Sequence, residues 1–264
     1  RKRMYLNTLL ALLLVFQFTL SVDVDLVVFN VTVLDKDGQR ITGLTEKDFR
    51  LYEDGREEKI KIFHAEDTPA TVGIVVDNSG SMTNKRSDVV NAAYAFLNAS
   101  HPEDEMFVVN FNRRAWLGLP SSTPFTNDRS ELHAAQKDIR AEGTTALYDA
   151  LKLALDHLEK GSRQRKSIVL LSDGGDNASI TKLDDVLRLA QQSSATIYCI
   201  GIYDPFQKDR NPSILKKIAQ VTGGEAYFPN NTSLQTVWPR IASAIRGQYT
   251  IGYVSSNPAT NGGY

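Results

Sequence analysis

The distribution of apolar and polar positions divides the chain near Pro69. Beyond it, charge-free apolar runs alternate with amphipathic stretches. Thr71–Asp77, Met106–Phe111, Ser167–Ser172, Thr196–Ile202 and Glu225–Phe228 are predicted strands. The centres Ile74–Val76, Ile168–Leu171 and Ile197–Ile200 are unbroken by charge, as strands covered on both faces require. Between them, Leu147, Ala150, Leu151, Ala154, Leu155 and Leu158 recur at helical spacing. Leu183, Val186, Leu187 and Ala190 repeat it, as do Leu234, Val237, Trp238, Ile241 and Ile245. A further helix is expected from about Lys85 to Asn98. Asn211 before Pro212 is a helix-start signal. Gly161, Gly223 and Gly247 stand where helix ends favour a left-handed residue. The alternation predicts an α/β fold, a doubly wound, mostly parallel sheet flanked by helices.

Before Pro69 the period is two. Val22, Val24 and Leu26 alternate with Asp23 and Asp25, then Phe29, Val31 and Val33 alternate with Asn30 and Thr32. The phase shift near Leu26 and Val27 predicts a bulge or a strand that changes partners. Asp35-Lys36-Asp37-Gly38 reads as a turn, since it lacks the further oxygen ligand and the following Glu of a calcium loop. Glu53-Asp54-Gly55 is a hairpin signal between Phe49–Tyr52 and Lys59–Phe63. Residues 22–66 are therefore a small β module, and residues 67–247 the α/β domain. Residues 248–264 carry one more strand, with Tyr249, Ile251 and Tyr253 alternating with Thr250 and Gly252, and then a tail. This strand is expected to lead back toward the β module.

Residues 1–21 open with Arg1-Lys2-Arg3 and run apolar from Leu9 to Leu20. That pattern reads as a secretory signal. No small-x-small cleavage site stands near Ser21, so membrane anchoring through residues 4–28 stays open. Either reading places the chain outside the cytoplasm, as a secreted or cell-envelope protein.

Composition removes several function classes. Thirty basic against 31 acidic residues leave a formal charge of −1 over 264 residues, no footprint for nucleic acid. Cys199 is the only cysteine, which excludes an intrachain disulfide and a Cys/His zinc cluster. The four histidines are scattered.

What remains is oxygen chemistry at one edge of the predicted sheet. Asp77-Asn78-Ser79-Gly80-Ser81 follows the first buried strand, Gly143-Thr144-Thr145 precedes the strongest helix pattern, and Asp173 ends another buried strand. In doubly wound sheets ligands bind beyond the carboxyl ends of the strands. Asp77, Ser79, Ser81, one threonine and Asp173 would supply oxygen only, a set suited to a hard divalent cation, Mg²⁺ or its relatives Mn²⁺ and Ca²⁺. Two carboxylates balance its charge. Five protein groups leave a six-coordinate shell one short, so water or an outside oxygen completes it, and a carboxylate from a partner is the natural sixth ligand. The competing reading has Ser79 and Ser81 capping the following helix and Asp173 starting a turn. Asp149 reads as a first-turn residue favoured by the helix dipole, Asp176 as a solvated loop carboxylate, and Asn112 as a rim candidate.

Asp77-x-Ser79-x-Ser81, Thr145 and Asp173 resemble, in order and loop placement, the metal-ion-dependent adhesion site of von Willebrand factor type A (VWA) domains. The resemblance spans about Thr68 to Tyr253. The β module, with Leu44-Thr-Glu-Lys-Asp-Phe49 and Tyr52-Glu-Asp-Gly55, is further similar to bacterial proteins that place a β segment before such a domain. It implies a metal-dependent, non-enzymatic binding module whose cation accepts an acidic residue of a protein partner. The second loop departs from the frequent Gly-Gly-Thr. Thr145 takes the ligand role because Ala146-Leu147-Tyr148-Asp149 follows in the family's register, with Thr144 as the alternative. Two other functions compete. A serine hydrolase would need a G-x-S-x-G elbow, which is absent, and a base, for which His101 is the candidate. A metal-independent spacer domain would need neither.

Overall fold

The computed structural model describes residues 26–33, 35, 41, 43–65, 69–137, 139–202, 210–229, 234–247 and 249–255. The expected signal or anchor at residues 1–21, the alternation at residues 22–25 and most of the turn at residues 35–38 lie outside these. No helix among the described residues is long and apolar enough to cross a membrane.

The described residues begin with β1 (Leu26–Val31), followed by β2 (Leu51–Glu53), β3 (Arg56–Glu58) and β4 (Ile60–His64). Next come β5 (Ala70–Asp77), a 3-10 segment at Gly80–Lys85, α1 (Arg86–Ala99), β6 (Glu105–Phe111), β7 (Ala115–Leu117), α2 (Arg129–Ala134) and α3 (Leu147–Leu158). The rest is β8 (Arg165–Ser172), α4 (Leu183–Gln192), β9 (Ala195–Gly201), α5 (Pro212–Gln220), β10 (Ala226–Tyr227), α6 (Leu234–Arg246) and β11 (Tyr249–Val254).

A six-stranded sheet runs β10-β9-β8-β5-β6-β7. Its neighbours are parallel except for the antiparallel edge strand β7. All residues of β5 and β9 are buried, because helices cover both faces. Helix α3 lies against β5 and β6 and beside α4, while α1 pairs with α6, the rings of Phe96 and Trp238 lying 6.0 Å apart. From β5 the chain steps to β6 on one side and later returns as β8 on the other. That reversal opens a crevice at the carboxyl ends of β5 and β8.

The second sheet is β1-β11-β4, with β11 central and antiparallel to both neighbours. Its core is aromatic: Tyr249 lies 5.0 Å from Phe49 and 5.8 Å from Phe63. The Tyr249 hydroxyl donates to Ile41 O and accepts from Leu44 N–H, both at 3.0 Å. A buried tyrosine is stable there because its polar end is satisfied.

Several local expectations are corrected. The bulge lies between β11 and β4, at Gly252/Tyr253, while β1 pairs with β11 in unbroken register. The partner of β2 in the hairpin is β3, not the segment at residues 59–63, which crosses to pair with β11 as β4. Asp54 (φ 48°) and Gly55 (φ 78°) form the two-residue turn whose twist matches the strands. Gly223 is left-handed (φ 70°), but Gly161 is not. A Cβ at Gly161 would come within 2.4 Å of Thr71, so close approach is what requires glycine there. The final strand of the large sheet shrinks to Ala226–Tyr227.

Candidate metal centre

Asp77 is the last residue of β5 and fully buried. Its Oδ1 accepts from Ser79 N at 2.9 Å, a bond that turns the chain sharply off the strand. Its Oδ2 accepts from Ser172 Oγ at 2.6 Å, across the β5/β8 crevice. Ser79 is 1% exposed, and Ser81 is exposed. Ser79 precedes the 3-10 segment yet makes no side-chain cap bond; its hydroxyl lies 3.1 Å from that of Ser81. Capping therefore does not account for Ser79.

Backbone bonds sew the other loops to this one. Gly80 N donates to Gly143 O at 3.0 Å and Glu142 N to Asn78 O at 2.9 Å. Asn78 N donates to Phe111 O at 2.7 Å. Thr145, 7% exposed, is gripped by one residue of the third loop: its N–H donates to Asn177 Oδ1 at 2.8 Å, and its carbonyl accepts from Asn177 N at 2.9 Å. Asp173, 2% exposed, accepts from Gly175 N at 3.0 Å through Oδ1, and its carbonyl accepts from Asn211 N at 2.8 Å. Gly174 makes that turn possible, with φ 83°.

Ser81, Thr145 and Asp173 line one open cleft of about 470 Å³, together with Gly143, Asp176, Asn177 and Arg210. Thr144 is exposed and does not line it. Asp77 and Ser79 are buried and do not line it; they are joined to it through the Ser79–Ser81 contact and the charge of Asp173 acting on Asp77. Burial pushes the Asp77 carboxyl up to about 6; the hydrogen bonds from Ser172 and Ser79 oppose this, and the negative charge of Asp173 adds to it. A buried carboxylate beside a second one carries an electrostatic deficit that a cation relieves. The donor set is oxygen only and its two carboxylates neutralise a divalent ion. The cleft leaves one side open to an outside oxygen. On these grounds the residues fit a hard divalent cation.

Other expected residues have different tasks. Asp149 sits in the first turn of α3, and its two oxygens accept from Thr181 N (2.9 Å) and Ile180 N (3.0 Å), fastening the third loop. Burial would raise its pKa, but the bonds from Thr181 and Ile180 and the charge of Lys152 hold it below the usual aspartate value. Asp176 is half-buried rather than solvated; it lines the cleft and accepts from Tyr148 N and Ser179 Oγ. Asn112 contributes its carbonyl, which accepts from Ala146 N at 2.7 Å, and is not among the residues lining the cleft. His101 precedes β6, whose seven residues span roughly 20 Å to the site edge, so it offers no base to Ser79 or Ser81.

Sequence reasoning missed Ser172, Asn177, Ser179 and Asn211. Ser172 had a signal, because it neighbours Asp173 at a buried strand end. Asn177 and Ser179 had none, since their partners lie some 30 residues away in the chain.

Residues 72–175 match the family model described as the von Willebrand factor type A domain. An uncharacterized protein of Synechocystis is 29% identical over 176 residues, 64% of this chain and 40% of that protein. The chain spans less than half the length of the curated relatives it matches. Among solved structures, a von Willebrand factor type A protein from Catenulispora acidiphila superposes with a TM-score of 0.59 at 23% identity, covering 69% of this chain and 43% of that one. The vWF domain of the type V pili tip protein Mfa5 from Porphyromonas gingivalis gives 0.56 at 15% identity, covering 69% and 96%.

Proposed function

The chain carries a von Willebrand factor type A domain, and on that premise we propose that it is a metal-dependent binding module for a protein partner that presents an acidic residue. Such domains are generally protein-interaction modules rather than enzymes. Asp77, Ser79, Ser81, Thr145 and Asp173 would hold the cation, Mg²⁺ or alternatively Mn²⁺ or Ca²⁺. Bound there, the cation supplies a coordination position that a partner carboxylate oxygen fills.

The chain's own residues supply the preorganisation. Ser172 and Ser79 N fix both oxygens of Asp77, and Gly175 N fixes one of Asp173. Asn177 holds the backbone of Thr145 on both sides. Little ordering is left to be done on binding, which favours affinity. The observation that carries this reading is the buried Asp77, coupled to Asp173, which lines one cleft with Ser81 and Thr145. Location outside the cytoplasm, secreted or at the cell envelope, belongs to the same proposal. The basic-then-apolar opening and the pilus-tip neighbour support it.

Calorimetric titration of the chain with Mg²⁺, Mn²⁺ and Ca²⁺ tests the reading, with Asp77→Ala as control. Saturable binding by the wild type, absent in the variant, is expected. An intact fold that binds none of the three makes the domain a metal-independent spacer. Labelling of Ser79 or Ser81 by a fluorophosphonate makes it a hydrolase.

A further inference from the structure

Ile180 is 93% exposed, and among the described residues from 70 to 247 it is the only large hydrophobic side chain classed as exposed. A lone apolar residue on a surface ordinarily needs no explanation. This one is held out by a brace. Both oxygens of Asp149 accept from the backbone at Ile180 (3.0 Å) and Thr181 (2.9 Å). One residue earlier, Ser179 Oγ accepts from Tyr148 N (3.0 Å) and Asp149 N (3.1 Å). Both bonds tie the loop to the first turn of α3. Two residues before that, Asn177 is bonded to Thr145 and lines the cleft. These bonds fix the backbone that carries the exposed side chain.

Three Cα–Cα steps of 3.8 Å place Ile180 within about 11 Å of Asn177 at the cleft. An extended peptide advances 3.3–3.6 Å per residue, so a segment passing Asn177 at the cleft covers the distance to Ile180 within about three residues. A side chain carried on a backbone fixed in this way discriminates among ligands at a lower cost, because the loop itself need not be ordered when the contact forms.

We propose that Ile180 is the specificity-determining apolar contact of the binding site, and that the partner carries an apolar residue within three positions of its acidic residue. The inference rests on the metal-dependent reading above.

Phage-displayed random heptapeptides, panned on the chain in Mg²⁺ and in EDTA, test it with wild type, Ile180→Ser and Ile180→Leu. Mg²⁺-dependent peptides with an Asp or Glu and a neighbouring Leu, Ile or Phe are expected from wild type and Ile180→Leu. Ile180→Ser retains the acidic residue but loses the apolar enrichment, and it binds the best wild-type peptide about tenfold more weakly, with Mg²⁺ affinity unchanged. Acidic peptides without apolar enrichment in the wild type, or with enrichment that persists in Ile180→Ser, overturn the role of Ile180 and leave the metal reading standing. Failure to select acidic peptides in Mg²⁺ overturns the metal reading, and this inference with it.

Discussion

Ser172 Oγ donates to Asp77 Oδ2 at 2.6 Å, joining the ends of two adjacent parallel strands 95 residues apart in sequence. A hydrogen bond to a buried carboxylate is worth about 1.5–3 kcal/mol. Ser172→Ala leaves that oxygen without its donor and free to rotate. Mg²⁺ affinity is expected to fall roughly tenfold with the fold unchanged, as read by calorimetry and circular dichroism. Undiminished affinity would remove Ser172 from the site.

Asp77→Asn separates stability from binding. Its burial puts the Asp77 carboxyl at about 6, so at neutral pH the ionised group costs the metal-free fold stability. The amide keeps the shape without the charge. Urea unfolding in EDTA should show Asp77→Asn more stable than wild type, by up to about 3 kcal/mol. In Mg²⁺ at a thousandfold excess over Kd the order reverses, because wild type gains about 4.1 kcal/mol and the variant nothing.

Acid sensitivity is expected at the opposite edge of the sheet, at Glu105. Burial would raise its pKa, but hydrogen bonds from Thr71 Oγ1, Arg163 N and Ser162 hold it below the usual glutamate value. A lowered folded pKa means stability that is full above the unfolded value and is lost as pH falls through the folded one. Glu105→Gln removes that contribution. Thermal unfolding should separate the two proteins near neutrality and bring them together as pH drops below about 4.

Two left-handed glycines should tolerate alanine very differently. A Cβ on Gly143 (φ 77°) meets nothing within 4 Å, whereas one on Gly174 (φ 83°) would lie 2.3 Å from Asn211 O. Gly143→Ala should cost about 1–2 kcal/mol, the backbone penalty alone. Gly174→Ala adds an overpacking cost of about 1–3 kcal/mol. It also shifts Asn211, whose N–H holds the Asp173 carbonyl, so cation binding should weaken as well. Denaturant unfolding and calorimetry on both variants check this contrast.

The legible parts of the structure were those with local causes. Strands buried on both faces must be apolar throughout, and helices against them must be amphipathic, so the α/β layer shows directly in the residue pattern. Asp77, Ser79 and Ser81 were visible because they share one turn at a strand end. Other elements left no such trace. Helix α2 buries only Leu132, and β7 is three half-buried residues at an edge. Strand β3 reads Arg56-Glu57-Glu58, a polar sequence held in place by its turn and its partner. The grip of Asn177 on Thr145 and of Asp149 on Ile180 joins residues 31–32 apart through tertiary folding alone.

The pairing of Leu26 with Val254 brings the two ends of the described chain side by side at one end of the small sheet. Mechanically this is a zipper. Tension delivered through both flanks pulls β1 and β11 apart one hydrogen-bonded pair at a time, starting at Leu26 and Val254, rather than shearing all pairs at once. From the closed end, at Val31 and Tyr249, the chain leads on one side toward β4 and β5 and on the other back into α6. A load carried along the chain opens the small sheet first and reaches the ligand-holding part last.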